Sequence, residues 1–167
     1  MEKTLTELNT GYLWHAGEFY EGNPGTVFPA DCSEERFVEI LKAADGCFRL
    51  ALETEDLILA AVDRVRSLPL FYALKNGRLL LSMNAHDLRS RLGDPPLDEQ
   101  ALAEFLLAGY TCLGDTLVSD IKQLQAGQYL IWNKLSQSLR IGEYYVYRQQ
   151  FEPLHDSLEA LDQMHLR

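Results

Sequence analysis

One stretch of the 167-residue chain decides how the rest is interpreted, and it runs Ala60-Ala61-Val62-Asp63-Arg64-Val65-Arg66-Ser67-Leu68-Pro69-Leu70-Phe71-Tyr72. An apolar run that begins at Leu57 ends at the acidic Asp63. A short basic connector follows, and Pro69 then opens a second apolar run that reaches Leu74. Two apolar runs of strand length on either side of a charged connector predict two strands in close succession.

A third strand follows directly. Asn76 and Gly77 separate the second apolar run from Arg78–Ser82. Asn-Gly between two apolar runs is the strongest short hairpin signal, because a type I′ turn needs a positive φ at both central residues. Since strand side chains alternate between two faces, we expect either Phe71 or Tyr72 to be buried.

The composition is that of a globular domain without unusual bias. Hydrophobic residues make up 47% of the chain and charged residues 24%, and the length suffices for one domain with its own core. The formal net charge of −10 argues against a nucleic acid or an anionic membrane as a partner, because both need clustered Lys and Arg. The sequence shows neither a signal peptide nor an apolar run near the ~20 residues of a membrane-spanning helix.

The three cysteines, Cys32, Cys47 and Cys112, lie far apart and form no Cys-x-x-Cys pair. This pattern predicts neither a disulfide framework nor a zinc site, and it favours a reducing, cytoplasmic location. The four histidines show no metal-ligand spacing, so we expect them at the surface and expect no metal in this chain.

Helix signals flank the central stretch. Ser33 has the position of a helix N-cap, and a short helix is expected between Ser82 and Gly93. Asp98 caps a further helix, which Gly109 ends. The apolar stripe of this helix should face the core, and it consists of Leu102, Phe105 and Leu106.

Strands are predicted over residues 48–53, 128–132 and 139–141, and a last strand over 144–147. Asp156 and Glu159 then have capping-box spacing, with Leu158 as the first apolar position of an amphipathic helix. We therefore expect a domain over residues 1–149. Residues 150–167 are expected to be a linker and the start of a helix that belongs to a following domain.

The connector resembles a segment of class II glutamine amidotransferase domains in asparagine synthetase-like proteins. That segment reads Arg-Asp, two residues, Gly, two residues, then Pro-Leu-Tyr-Tyr. Asp63 and Pro69 keep this spacing. Two positions depart from it, because Val62 stands in place of the Arg and Arg66 in place of the Gly.

The resemblance covers about a hundred residues, from Gly46 to Tyr147. Gly46-Cys47-Phe48 is similar to the Gly-x-Phe-Ala strand opening of that family. Its helix and following turn are matched by Asp98, Ala101, Phe105, Leu106, Gly109 and Tyr110. Its Thr…Ile-x-x-Leu-x-x-Gly segment is matched by Thr116, Ile121, Leu124, Gly127 and Gln128.

The resemblance implies an α+β fold of the N-terminal nucleophile (Ntn) hydrolase type, an αββα sandwich of antiparallel sheets, in a reduced version. It also implies a C-terminal synthetase domain as the partner of this domain. ATP and Mg²⁺ are expected only in that missing domain, and no cofactor is expected in this chain. A homodimer is left open, as is the carboxylate substrate.

The resemblance fails where the family's chemistry would sit. Members that hydrolyse glutamine begin, after loss of Met1, with a catalytic Cys, whereas residue 2 here is Glu2. The family's Arg-rich segment that holds the glutamine carboxylate has no counterpart, since residues 3–30 contain no Arg. Ala16, Gly17 and Glu18 echo its oxyanion element, but Ala16 replaces the Asn.

The resemblance makes two sets of residues candidates for a vestigial glutamine pocket or a domain interface. One set is Asp63 with Arg64, for which the favoured interpretation is a strand-end charge pair in a turn. The other is Ala16, Gly17 and Glu18. The resemblance assigns no catalytic residue.

We expect a non-catalytic, degenerate glutaminase domain of an asparagine synthetase-related protein. One alternative is a cysteine-dependent hydrolase, with an exposed, reactive Cys32 or with Cys112 as nucleophile. Cys47, flanked by Gly46 and Phe48, favours a small core residue over a nucleophile. The other alternative is a self-standing protein-interaction module.

Overall fold

The computed structural model describes residues 4–8, 11–21, 28–29 and 31–148. The helix predicted from Asp156 onward lies outside the described residues. The strands are β1 Thr4–Leu8, β2 Gly11–Phe19, β3 Gly46–Glu53, β4 Leu57–Val62, β5 Phe71–Lys75, β6 Arg78–Ser82, β7 Lys122–Gln123, β8 Gln128–Asn133 and β9 Ser138–Glu143. The helices are α1 Glu34–Ala43, α2 Ala85–Leu92 and α3 Glu99–Ala108.

The strands form two antiparallel sheets. The first has six strands in the order β1-β2-β3-β4-β8-β9, and the second has three in the order β6-β5-β7. β4 and β5 follow one another in the chain but lie in different sheets. The connector between Val62 and Phe71 therefore carries the chain from one sheet to the other.

Local chemistry explains most element boundaries. Asn76 and Gly77 have φ angles of 51° and 69°, as the predicted type I′ hairpin turn requires. The Ser33 hydroxyl accepts a hydrogen bond from the Arg36 amide, and the Asp98 carboxylate accepts one from Ala101. The predicted hairpin and both predicted helix caps are confirmed.

Two apolar clusters cover the two faces of the large sheet. On one face, the α1 residues Phe37 and Leu41 pack with Leu50 of β3. On the other face, Val62 of β4 packs with Leu70 next to the small sheet. Because successive strand residues alternate, β3 and β4 contribute to both clusters.

A third cluster lies on the outer face of the small sheet, where Leu88 of α2 packs with Ala73 of β5. The layers are thus α1, large sheet, small sheet and α2. This order confirms the predicted α+β class and αββα sandwich of antiparallel sheets. Phe71 and Tyr72 are each only half-buried, whereas Leu70 is fully buried, so the expectation of a buried aromatic at this strand was wrong.

The predicted packing of α3 was also wrong. Its buried residue is Ala101, whereas Phe105 is 43% and Leu106 75% exposed. The helix therefore lies with much of its apolar surface toward solvent. Periodicity identified the helix correctly, but periodicity does not determine which side of a helix the rest of the fold covers.

The last predicted strand is absent from the described part of the chain, because β9 ends at Glu143. Tyr144 instead turns inward, and its hydroxyl donates a hydrogen bond of 2.8 Å to the Val62 carbonyl. Tyr144 is therefore buried as a tether to β4 and not as part of a sheet.

Candidate functional site

Asp63, directly after β4, is fully buried and has both carboxylate oxygens occupied. Oδ2 accepts hydrogen bonds from the amides of Phe48 (3.1 Å) and Ser67 (2.9 Å). Oδ1 accepts from the Val65 amide (2.9 Å) and the Ser67 hydroxyl (3.3 Å). Burial of a carboxylate is tolerated here because several donors replace its water.

The backbone of Asp63 extends the same network. Its amide donates to the Phe48 carbonyl at 2.9 Å, and its carbonyl accepts from the amides of Arg66 (3.1 Å) and Gly127 (3.0 Å). One residue thus joins the beginning of β3, the connector and the turn before β8. The connector is fixed from within the protein, without a ligand.

Arg64 does not pair with Asp63. Its guanidinium lies 3.8 Å from Asp45, donates to the Lys42 carbonyl at 3.3 Å and stacks 5.0 Å from the centre of the Tyr145 ring. The predicted charge pair was therefore wrong. The two neighbours point to different surroundings, because Asp63 turns into the connector while Arg64 reaches toward the end of α1.

Arg66 stands where the resembled pattern has Gly, and its φ is 57°. An L-residue in this left-handed region is disfavoured by roughly 1–2 kcal/mol, which explains why a Gly would suit the position. The Arg66 side chain donates a hydrogen bond of 2.8 Å to Gln123, and this bond offsets part of the strain. The connector therefore keeps the left-handed backbone conformation at this position, although Arg66 replaces the Gly of the resembled pattern.

The second candidate set lies on β2 beside the first residues of β3. Ala16 pairs with Arg49 and Glu18 with Cys47. Gly17 has a φ of 97°, and a Cβ there would lie 2.0 Å from the Cys47 carbonyl oxygen, so only Gly fits. Glu18 is exposed, while Ala16 is buried and offers only a methyl group.

The structure brings part of the two candidate sets together. The Phe48 amide donates to the Asp63 carboxylate, and Phe48 pairs with Gly17 across β2 and β3. Ala16, Gly17, Glu18 and Asp63 thus surround the beginning of β3, whereas Arg64 points away toward α1. No hydrogen bond joins the two sets directly among the described residues.

Arg49 is a member of this region that the sequence did not indicate. It is 8% exposed, and its side chain donates a hydrogen bond of 3.0 Å to the Pro69 carbonyl. Burial lowers the pKa of its guanidinium. The Arg49 side chain thus holds the connector at the Pro69 carbonyl. The sequence signal that could have revealed this role is an Arg within the alternating apolar pattern of β3.

None of the cysteines has the surroundings of an activated thiol. Cys32 is 3% exposed, and burial raises its pKa to about 11, so the alternative of an exposed and reactive Cys32 is wrong. Desolvation and then the Glu104 carboxylate raise the pKa of the exposed Cys112. Cys47 is half-buried, with its sulfur 3.4 Å from the Tyr20 hydroxyl.

The arrangement can hold the connector rigidly. Within the described ranges, no group of three or more His, Cys, Asp or Glu residues could hold a metal ion. In the same ranges, no helix is both long and apolar enough to cross a membrane.

The glutamine amidotransferase domain family model matches residues 29–145, more than two thirds of the chain. This chain therefore belongs to the glutamine amidotransferase domain family. The match begins after the candidate residues Ala16, Gly17 and Glu18 and includes Asp63 and Arg64. No curated protein matches the chain.

Two solved structures are similar. Glutamine phosphoribosylpyrophosphate amidotransferase from B. subtilis, complexed with ADP and GMP, is 14% identical with a TM-score of 0.44. A structure described as the allosteric regulatory enzyme of purine biosynthesis is 13% identical with a TM-score of 0.49. Each comparison covers 88% of this chain but only 32% of the other, so this chain spans about a third of their length. The family assignment rests on the family model.

Proposed function

We propose that this chain is the glutaminase-type domain of an asparagine synthetase-related amidotransferase and that it does not itself hydrolyse glutamine. The family match supports a glutaminase-type domain, and the resemblance of the connector supports the asparagine synthetase-related context. The second part depends on the three cysteines, which are all within the described residues. Amide hydrolysis by a thiol needs a thiolate or an adjacent base.

Each cysteine fails this requirement for a different physical reason. Cys32 is kept protonated by burial, with a pKa of about 11. Cys112 is exposed, but its neighbour is the Glu104 carboxylate, which disfavours a thiolate. The hydrogen bond from the Cys112 amide lowers the pKa of Glu104, so this carboxylate is also a weak base. Cys47 lies beside the Tyr20 hydroxyl, and that contact raises the pKa of Tyr20, so the phenol is no base near neutral pH.

The side chains of the two candidate sets are poorly suited to binding and polarising an amide. Ala16 has no polar side-chain atom where the resembled family places an Asn. The Asp63 carboxylate uses both oxygens within the protein, with four donors at 2.9–3.3 Å. A substrate amine would have to displace these donors, which argues for a structural role for Asp63.

In the proposed function, ATP and Mg²⁺ act in a synthetase domain outside residues 1–167, as the resemblance of the connector implies. ATP-dependent amide formation belongs to that domain. The coding sequence adjoining this chain would test that part, because it should encode an ATP-using domain.

Ammonia release from glutamine by the purified chain tests the missing glutaminase activity. We expect no release above the uncatalysed background. Sustained release would contradict the proposal. If Cys112→Ser or Cys32→Ser abolished that release, the cysteine-dependent hydrolase would be the correct alternative.

The interaction module is a second candidate, because one specific observation favours it. The helix α3 exposes Leu107 to 89% and Leu106 to 75%. A domain that keeps the amidotransferase fold without its chemistry can still serve as a surface for another chain.

A further inference from the structure

A cavity of about 470 Å³ lies where the connector, β5 and the C-terminal end of α3 meet. Sites for small molecules have volumes of about 300–1,000 Å³, so the space suits a ligand of modest size. Three aromatic side chains line it, namely Phe71 of β5, Phe105 of α3 and Tyr110 just after that helix. We call it the Arg66 cavity, after the connector side chain that also lines it. It shares no residue with the two candidate sets.

Arg66 gives this cavity a positive charge without a counter-charge. The described residues that line the cavity include no acidic side chain, although the chain as a whole has a net charge of −10. Arg66 is half-buried and forms no ion pair among the described residues. Its guanidinium makes one hydrogen bond there, of 2.8 Å to the Gln123 side chain. Since a guanidinium has five N–H donors, most of them remain for a bound anion or for water.

The guanidinium is held from two sides before any ligand binds. The Arg66 amide donates to the Asp63 carbonyl at 3.1 Å, which anchors the backbone. The Gln123 side chain accepts from Arg66 and donates at 3.0 Å to the Asp115 carbonyl, so its oxygen is directed at the guanidinium. The Asp115 carboxylate pairs with Lys122 and does not compete for Arg66. A charge that is preorganised in this way reduces the entropic cost of binding.

The backbone at Arg66 also indicates a role beyond the turn. Its φ of 57° suits a Gly, which the resembled pattern has at this position, and it is unfavourable for an L-residue. The hydrogen bond to Gln123 offsets part of that cost. Residues held in such conformations cluster at ligand-binding sites. A guanidinium that binds an anion would explain why an Arg occupies a position that favours Gly.

The charge and the shape of the cavity favour a carboxylate. One guanidinium compensates one negative charge, and its planar fork matches a carboxylate with two parallel hydrogen bonds. A phosphate monoester carries about −1.5 to −2 charges and would leave part of them uncompensated in a chain of net charge −10. The side-chain amide of Gln125 makes no hydrogen bond within the described ranges and offers a further donor in the cavity. The three aromatic rings favour a planar, apolar remainder of the ligand.

We propose that the Arg66 cavity binds a small monocarboxylate with a planar apolar body, such as an aryl-substituted carboxylic acid. Arg66 holds the carboxylate, and the rings of Phe71, Phe105 and Tyr110 pack against the apolar body. Both ends of the ligand are then matched, because the cation meets the charge and the aromatic surface meets the ring. This site goes beyond the proposed function and does not depend on whether the chain hydrolyses glutamine.

A titration of the isotopically labelled chain with phenylacetate, followed by two-dimensional NMR, tests the proposal. We expect saturable shifts at the side-chain amides of Gln123 and Gln125 and at the Tyr110 amide. A probe this small should bind with a Kd on the order of 1 mM, so the titration extends to about 20 mM at constant ionic strength. Phenylacetamide has the same shape without the charge, and it should bind about tenfold more weakly or worse.

Three variants locate the site. Arg66→Gly removes the charge and should fold, because Gly adopts a positive φ at little cost. Arg78→Gln is the matched control, since it removes the same charge from an exposed position at the start of β6. Arg66→Gly should weaken phenylacetate binding about tenfold or more, whereas Arg78→Gln should change it less than about twofold. Tyr110→Ser removes one ring and leaves the connector intact, so it should weaken binding about threefold and decides the question even if Arg66→Gly does not fold.

Five outcomes would overturn the proposal. The first is the absence of a saturable shift over the whole phenylacetate titration. The second is equally tight binding of phenylacetamide, which would show apolar adsorption without recognition of the charge. The third is equal weakening by Arg66→Gly and Arg78→Gln, which would show unspecific attraction to positive charge. The fourth is unchanged binding in Tyr110→Ser. The fifth is tighter binding of inorganic phosphate at the same amides, which would make this a phosphate site.

Discussion

Asp63→Asn is the substitution that most directly separates a structural role from a ligand-binding role. The carboxylate accepts four hydrogen bonds, two on each oxygen, and no cation faces it among the described residues. An amide keeps one acceptor oxygen and replaces the other with a donor. If the NH₂ group replaces Oδ2, the amides of Phe48 and Ser67 lose their acceptor. If it replaces Oδ1, only the Val65 amide loses its acceptor, because the Ser67 hydroxyl can rotate and accept from the NH₂ group.

The magnitude follows from the less costly orientation, in which the Val65 amide alone loses its acceptor. A donor left unsatisfied costs about 1–3 kcal/mol, so we expect a loss of about 1–3 kcal/mol in the free energy of unfolding. For a domain of this size, 1 kcal/mol shifts Tm by roughly 2–4 °C. Tm should therefore fall by about 2–12 °C, and the urea midpoint should fall with an unchanged m-value.

Urea and thermal unfolding of the variant, followed by fluorescence and circular dichroism, measure this loss. Asp87→Asn is the matched control, because Asp87 forms only a half-exposed ion pair with Arg91 on α2, and its loss should be within about 0.5 kcal/mol. Ser67→Ala provides a milder variant, since it removes a single contact of 3.3 Å to Asp63. A loss below about 1 kcal/mol for Asp63→Asn would refute the structural role and return Asp63 to the candidate pocket.

Three further predictions concern the core and the titratable groups. Leu70→Ala should lower the free energy of unfolding by about 2–5 kcal/mol, because Leu70 is fully buried. Leu74→Ala is the control and should cost far less, because Leu74 lies in β5 at a 46% exposed position. Urea unfolding of the two variants measures the difference. Burial raises the pKa of Cys32 to about 11, so stability should fall as pH rises from about 8.5, where the unfolded thiol ionises, and Cys32→Ala should flatten that decline in denaturation curves. Burial lowers the pKa of His15, so stability should fall as pH drops below about 6.5, where the unfolded imidazole gains its proton, and His15→Gln should remove that part.

Each of these predictions has an outcome that contradicts it. Equal losses for the two leucine variants would mean that Leu70 is not a core residue. If stability at alkaline pH fell equally in the wild-type chain and in Cys32→Ala, the Cys32 thiol would ionise freely in the folded protein. If the stability of the His15→Gln variant still fell by the same amount as pH drops below about 6.5, the proton uptake would belong to carboxylates.

The candidate site was only partly predictable. Asp63 stands out in the sequence because it ends an apolar run, and its neighbour Arg64 suggests a charge pair. The structure shows that its partners are backbone amides and a hydroxyl, for which the sequence carries no signal. Arg49 was missed for the opposite reason, since a charged residue in a strand is expected at the surface and here it lies between sheet and connector.

By itself, the sequence determined the elements whose causes are local. The Asn76–Gly77 turn depends on two residues that accept positive φ, and the helix starts at Ser33 and Asp98 depend on side chains that satisfy nearby amides. The resemblance carried by Asp63 and Pro69 indicated the family. All of these signals span a few residues, so they can be recognised in the sequence without knowledge of the fold.

The tertiary structure alone decided which surfaces are covered. It placed β4 and β5 in different sheets although they adjoin in sequence, and it paired β4 with β8. It also left Leu106 and Leu107 of α3 exposed. The physical reason is that periodicity fixes which side chains share a face, whereas burial depends on what packs against that face from distant parts of the chain.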